Sequence, residues 1–355
     1  MMTHKKIGVG LIGCGTVARY GHLPAIAESD GLKLIAVADL SEAGRKEAED
    51  RYAVDSYAEY NDLLAREDIA AVSLTTPLPT HYEIAHRAME SGKHVFCEKP
   101  FVETIAEAEE LRQLATQKGL LFGLNFEYRI DEPTIRMKAA LDAGDLGRLQ
   151  VLRFAYNWSA HGLTGPLGLR RAEFLRNGGG CMDCGVHYLD LARYFSGSEF
   201  AHLAAMGQWT EPQFRYPGHL LLQARMTSGA LAQIEVSFIY THASRDRTWF
   251  MQHEIIGDRG MASWQADTPF LKISSQKDSP DELGGVLQIV TENGHSVEPL
   301  GSNKPFARVY AEWERCLRTG TMQGSPLATV HDGCQATEAM IRTLSAADAE
   351  RKSHE

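Results

Sequence analysis

Apolar positions change their spacing about a third of the way along the chain. Up to about Phe126, short apolar runs alternate with amphipathic stretches. The runs at 6–12, 32–38, 70–74, 93–97 and 120–124 have the length of buried strands. Between them lie helical segments, for example 104–117, where Thr104 is a plausible N-cap and Glu107 completes a capping box. This alternation predicts a doubly wound parallel sheet, with 70–74, 93–97 and 120–124 as its fourth, fifth and sixth strands. After a helix over 132–143, longer and partly alternating runs follow at 149–156, 220–225, 231–238 and 253–257. They predict an antiparallel sheet, and the chain returns to helix at 306–318 and 332–350. The expected architecture is α/β: a doubly wound parallel sheet over 1–126, then an α+β domain over 127–355 built on a large, mostly antiparallel open sheet. Its last helix is expected to pack back toward the first domain.

Composition narrows the class without naming a substrate. With 355 residues the chain can bury two cores. No apolar run approaches membrane-spanning length, and the first residues lead into a strand without a signal-peptide profile. A net charge of −10 argues against a nucleic-acid surface. The six cysteines are scattered and read as reduced thiols, which makes the cytoplasm the expected compartment.

The first strand runs directly into Gly13-Cys14-Gly15-Thr16-Val17-Ala18, a G-x-G-x-x-G/A turn. Gly13 permits the tight turn, Gly15 lets a pyrophosphate reach the backbone, and Ala18 lets the following helix pack closely. Free N–H groups at Thr16 and Val17 and the helix dipole favour an anion there. The second strand ends at Asp39, where a carboxylate takes the ribose hydroxyls of NAD. Asp39 would repel a 2′-phosphate, and no Arg follows it in Asp39-Leu40-Ser41, so NAD is expected over NADP; Arg45, a turn further on, is the feature against.

A second glycine-rich stretch, Gly178-Gly179-Gly180, precedes Asp183 and His187. Four apart, these two share one face of a helix, and the glycines would let a ligand approach the backbone. A carboxylate near an imidazole is an oriented general base. Cys181 and Cys184 sit beside them, but no second cysteine pair follows at zinc spacing, so no metal is expected. Two further patches follow strand ends, where ligands bind in open α/β sheets: Thr75-Thr76-Pro77 with His81, and Glu98-Lys99-Pro100.

Together with the late stretch Pro326-Leu327-Ala328-Thr329-Val330-His331-Asp332-Gly333, these motifs make the sequence resemble the Gfo/Idh/MocA family of nicotinamide-dependent sugar and polyol oxidoreductases. The resemblance spans nearly the whole chain. It implies that Lys99 is catalytic, that Asp183 and His187 stand at the second and third active-site positions, and that Asn125 and Arg129 open the segment leading to the substrate domain. It also implies cofactor contacts from Thr76, Pro77, His81, Glu98 and Lys99, and assembly into homodimers or homotetramers.

The chemistry of the residues agrees. Oxidising a secondary alcohol moves a hydride to nicotinamide while a base takes the hydroxyl proton. His187 suits the base, and Lys99 would stabilise the developing alkoxide. The expected substrate is a sugar or cyclic polyol met by Lys99, Asn125, Arg129, Asp183 and His187, with Tyr156 or Trp158 for an apolar ring face. Arg170, Arg171 and Arg176 would suit an anionic group on that sugar, or form a solvated face with Glu173. His161 reads as a solvated loop residue. Two other readings stay open: a redox-neutral sugar-transforming enzyme that retains NAD(H), and an NAD(H)-binding regulator without turnover.

Overall fold

The structure, a computed structural model, describes residues 5–158, 179–209, 214–238, 247–266, 271–273, 282–303 and 305–353. Its chain forms two compact units, Met1–Ile130 with Pro305–Thr337 and Asp131–Lys304 with Glu338–Glu355. The single boundary expected after residue 126 is therefore replaced by a chain that leaves the first unit and returns to it.

In the first unit, β1 (Ile7–Ile12), β2 (Leu32–Ala38), β3 (Asp55–Tyr57), β4 (Ala71–Leu74), β5 (His94–Cys97) and β6 (Phe122–Leu124) pair in parallel. Their order is β6-β5-β4-β1-β2-β3, so the winding direction reverses between β4 and β1. Ligands of such sheets bind at that switch point, outside the carboxyl ends of the strands. Helices α1 (Leu23–Ala27), α2 (Glu42–Tyr52), α3 (Tyr60–Leu64), α4 (His81–Glu90) and α5 (Ile105–Lys118) connect the strands. The capping box forms at α5, Thr104 accepting from Glu107 N while the Glu107 side chain accepts from Thr104 N. β3 has only three residues, two of them small and polar, which is why no apolar run marks it.

The second unit contains α6 (Glu132–Asp142), β7 (Leu149–Trp158), α7 (Val186–Ser196), β8 (Phe200–Gln208), β9 (His219–Met226), β10 (Leu231–Ser237), β11 (Arg247–Gly257), β12 (Met261–Ala266), β13 (Leu271–Ile273), β14 (Glu282–Leu283), β15 (Gly285–Thr291), β16 (Gly294–Pro299) and β17 (Ser302–Asn303). Its large sheet runs β16-β15-β12-β11-β7-β10-β9-β8 and is antiparallel except where β7 meets β10. The four strands expected here are present. β8 escapes sequence reading because a register irregularity after Phe200 breaks its alternation, and β16 because its residues are mostly exposed. On the buried face of β7, Phe154 stacks on Tyr188 of α7 at 5.5 Å and 17° between planes.

Return of the chain to the first unit has a packing cause. Helix α8 (Phe306–Thr319) places Tyr310 and Trp313 against Phe96 of β5, with ring centroids 5.5 and 5.4 Å away. Both rings are fully buried, and burial of each such side chain stabilises by about 1.5–3 kcal/mol. Strand β18 (Ala328–Thr329) then adds to β6 in antiparallel sense. The last helix, α9 (Val330–Lys352), starts in the first unit and ends in the second. Among the described residues no helix is long and apolar enough to cross a membrane.

Candidate active site

The glycine turn after β1 is fixed by its neighbours. Gly13 has φ +101°, and a Cβ there would lie 2.8 Å from the backbone of Thr75 and Thr76, so only glycine fits. Thr75 Oγ1 donates to Gly13 O at 2.5 Å, pinning the turn to the end of β4. At Gly15 a Cβ would meet nothing within 4 Å: this glycine keeps the approach to the backbone open. A helical turn begins at Thr16 and Val17 and widens into a π turn over Ala18–His22 before α1, with Ala18 fully buried. Asp39 stands where β2 ends. Its Oδ2 accepts from Cys14 N at 2.5 Å and its Oδ1 from Ser41 N at 2.7 Å. Arg45 donates to the backbone carbonyls of Asp39 and Leu40, at 2.7 and 3.2 Å. An open backbone turn, a helix N-terminus and a carboxylate fit the pyrophosphate and ribose of a dinucleotide.

Across the next strand ends lies a buried polar chain. Glu98, at the end of β5, accepts at Oε1 from His22 Nε2 (2.7 Å) and Asn125 Nδ2 (2.5 Å), and at Oε2 from Lys99 N (3.1 Å). His22 Nδ1 meets Tyr310 Oη at 2.6 Å, and Tyr310 Oη meets Ser73 Oγ at 2.8 Å. Burial pushes the Glu98 carboxyl up, yet the His22 hydrogen bond and charge, the Lys99 charge and the Asn125 amide outweigh it and leave Glu98 below the usual range. It is a carboxylate. Lys99 is half-buried, and its bond to Pro100 is cis.

His81, the first residue of α4, is buried with both ring nitrogens on backbone carbonyls: Nε2 on Thr76 O at 2.8 Å, Nδ1 on Pro100 O at 2.9 Å and Phe101 O at 3.1 Å. It braces the loop after β4 against the loop after β5. Burial pushes its pKa down. Thr76 stays partly exposed and Pro77 exposed on the edge that His81 supports.

In the second unit, Cys181–Gly185 is a π turn that leads into α7. Asp183 lies inside this turn and His187 in the first turn of α7, so the pair is joined by π rather than α geometry. His187 is 3% exposed and Asp183 is half-buried, its Oδ2 accepting from Cys184 Sγ at 3.4 Å. Of the three glycines expected to open this backbone to a ligand, Gly180 has its free side occupied. A Cβ on Gly180 would lie 2.9 Å from Val236 Cγ1, and one on Gly185 would lie 3.3 Å from Val236 Cγ2. Their role is close packing of the turn on β10. Burial pushes the Cys181 thiol up to about 12. Gly178, His161, Arg170, Arg171, Glu173, Arg176 and the side chain of Trp158 lie outside the described residues.

Residues 7–126 match the model of an oxidoreductase family with an NAD-binding Rossmann fold, and residues 134–263 match the GFO/IDH/MocA C-terminal domain. The chain belongs to the Gfo/Idh/MocA oxidoreductase family. It is 25% identical over 265 residues to a scyllo-inositol 2-dehydrogenase (NAD(+)) of Bacillus subtilis (strain 168), covering 72% of either chain. It is 28% identical over 266 residues to a dTDP-3,4-didehydro-2,6-dideoxy-alpha-D-glucose 3-reductase of Saccharopolyspora spinosa, covering 74% of this chain and 78% of that one. A solved 3-ketoreductase from Actinomadura kijaniata, in complex with NADP and TDP-benzene, shares the fold with a TM-score of 0.77. Its identity is 22%, over 96% of this chain and 98% of that chain.

As a Gfo/Idh/MocA oxidoreductase, the chain carries an NAD(P)-binding Rossmann domain. Its late Pro326–Gly333 stretch proves to be architectural. Asp332 pairs with Arg129 at 3.0 Å and accepts from Thr329 N at 2.8 Å, while a Cβ on Gly333 would strike Leu124 and Phe101. Arg129, expected at substrate, is thus 5% exposed in an ion pair. Asn125 gives its amide nitrogen to Glu98, while its Oδ1 is buried with no hydrogen-bond partner among the described residues. Tyr156 is 3% exposed, with its ring 6.3 Å from that of Tyr188. Lys99 belongs to the first unit, Asp183 and His187 to the second. Sequence reading placed Thr75 in a strand-end patch but missed His22 and Tyr310, which carry no local signal.

Proposed function

We propose that the protein transfers a hydride between a secondary alcohol of a sugar or cyclic polyol and NAD, with His187 as acid/base and Lys99 polarising the reacting oxygen. The observation that carries this reading is the gathering of Gly13, Gly15, Asp39, Thr76 and Lys99 at the carboxyl edge of one sheet, beside a buried anionic Glu98. Gly13, Gly15, Thr16 and Val17 would hold the pyrophosphate, Asp39 the ribose hydroxyls, and Thr76, Pro77, Glu98 and Lys99 the nicotinamide end, with His81 bracing the last two loops. When bound, NAD supplies the hydride acceptor.

The rest falls to the chain's own side chains. His187 takes the hydroxyl proton as the C–H hydride leaves, and returns it in the reverse direction. The Lys99 ammonium favours the oxygen's developing negative charge, which exists fully only in the transition state. Asp183 orients His187 or accepts a neighbouring hydroxyl. With Arg129 paired to Asp332 and Tyr156 packed on Tyr188, substrate contacts narrow to Lys99, Asp183, His187 and the Asn125 oxygen.

Asp39 supports NAD over NADP, although one relative is named for NAD(+) and another was solved with NADP. Relatives named for scyllo-inositol and for a dTDP-linked deoxyglucose support a polyhydroxylated ring as substrate. The experiment is a panel of inositols, free sugars and nucleotide sugars with NAD, followed by product identification. Turnover of a cyclic member is expected; turnover of small acyclic alcohols or hydroxy acids alone would overturn the reading.

Exposed Met206 and Leu221, opposite one another on β8 and β9, support assembly into homodimers or homotetramers. A monomeric mass by light scattering at micromolar concentration would contradict that.

A further inference from the structure

Within the buried chain Ser73–Tyr310–His22–Glu98–Asn125, the hydride-transfer reading gives Ser73, Tyr310 and His22 no role. Five separate segments supply it: β4, α8, the π turn after the glycine loop, the end of β5 and the end of β6. Relative exposures are 0% for Ser73, Tyr310 and His22, 1% for Asn125 and 6% for Glu98. Fold stability alone gives no reason to keep it. A buried charge with its partners is commonly no more stable than apolar residues of the same volume.

We propose that His22 and Tyr310 are positioning residues for Lys99: through Glu98 they fix a carboxylate at the foot of the lysine loop and tie that loop to the helix behind the dinucleotide turn. The proposal rests on the reading of Lys99 as the catalytic cation.

The hydrogen-bond inventory sets the orientation. A carboxylate only accepts, so His22 Nε2 carries a hydrogen toward Glu98 Oε1. Asn125 Nδ2 donates to the same oxygen, which leaves Oε2 for the backbone N–H of Lys99. Tyr310 Oη at 2.6 Å from Nδ1 holds the imidazole from its other side, and Phe306 packs edge-on against it with centroids 4.9 Å apart. The ring cannot turn without breaking a bond at either end.

The charges facing Glu98 are few. His22 and Lys99 face it with positive charge, His22 also donating to Oε1, and burial pushes the His81 ring toward its neutral form. Burial also raises Cys97 and Tyr310, so both stay protonated. Glu98 thus places a fixed negative charge beside Lys99. An adjacent carboxylate favours the ammonium over the amine. That keeps Lys99 cationic at the neutral to alkaline pH where an alcohol is oxidised.

The test follows the Lys99 amine itself in the ligand-free protein and again with NADH. Protein labelled at lysine Cε is titrated by NMR, with the Lys99 resonance assigned by its loss in Lys99→Arg. Glu98→Gln should lower the Lys99 midpoint by about one pH unit. His22→Ala should lower it in the same direction by less, and Tyr310→Phe by least. Should Glu98→Gln fail to fold, His22→Ala decides. Midpoints unchanged from the native protein in folded variants, with only melting temperature reduced, would show the chain to be structural and overturn the proposal. Native-level turnover by Lys99→Ala would instead sink the dehydrogenase reading of Lys99 and leave the titration result standing.

Discussion

Among the described residues, glycines lead into a π turn and then a helix once in each unit, Gly15 ahead of Ala18–His22 and Gly180 ahead of Cys181–Gly185, and they serve opposite ends. At Gly15 the missing side chain leaves empty space over the backbone; at Gly180 it is filled by Val236. The first follows a parallel strand at the sheet's switch point, where ligands of open α/β sheets bind. The second is pressed onto β10, and there the missing Cβ admits close contact between helix and sheet. Glycine next to a titratable pair is therefore no evidence that a ligand approaches the backbone. What surrounds the absent Cβ decides.

Exchanging side chains at the two glycines should separate the two roles. Gly15→Val is expected to weaken NADH binding by tenfold or more, about 1.4 kcal/mol, with the melting temperature little changed. Gly180→Ala should do the reverse. Crowding Val236 should cost about 1–3 kcal/mol of stability while leaving NADH affinity within twofold. Fluorescence titration and thermal melting on both variants check the pair, and a Gly15→Val protein that binds NADH normally would end the distinction.

Asp39→Ser probes the same turn at its acidic edge. Loss of the charged acceptor should reduce the preference for NADH over NADPH by about tenfold, read as a ratio of dissociation constants. Equal or tighter NADPH binding by the unaltered protein would refute the NAD assignment.

The smallest effect is a slope. His253, in the second unit, is boxed by Phe154, Tyr188 and Trp264 at 5.7, 5.5 and 5.5 Å, and burial lowers its pKa to about 3. The unfolded chain binds a proton near pH 6.5 that the native protein refuses. Its contribution to stability is thus present above that pH and is lost progressively as pH falls toward about 3. Melting of His253→Leu should depend less on pH between 7 and 4 than melting of the native protein. Parallel curves would mean that His253 is not the titrating group.

What could be read from the sequence follows the same division. The turn from Gly13 to Ala18, Asp39 and the α5 capping box are local, and each sits where a few neighbouring residues fix its geometry. The antiparallel sheet was legible where strands alternate and hidden at β8, where a register shift breaks the pattern. The chain around Glu98 was invisible because His22 and Tyr310 are 288 positions apart and meet only through the return of α8. The Arg129–Asp332 ion pair was hidden for the same reason, since nothing near Arg129 announces Asp332. The π turn at Cys181–Gly185 has no periodicity that would distinguish it from the α-helix it precedes.

With the dinucleotide proposed to bind the first unit and the proton to move on the second, His187→Ala tests that division most directly. With the substrate found in the panel, its turnover should fall by roughly 10²–10⁴ while NADH affinity stays within twofold of native. Turnover within a few-fold of native at every pH, or a loss of NADH binding in parallel with the rate, would contradict it.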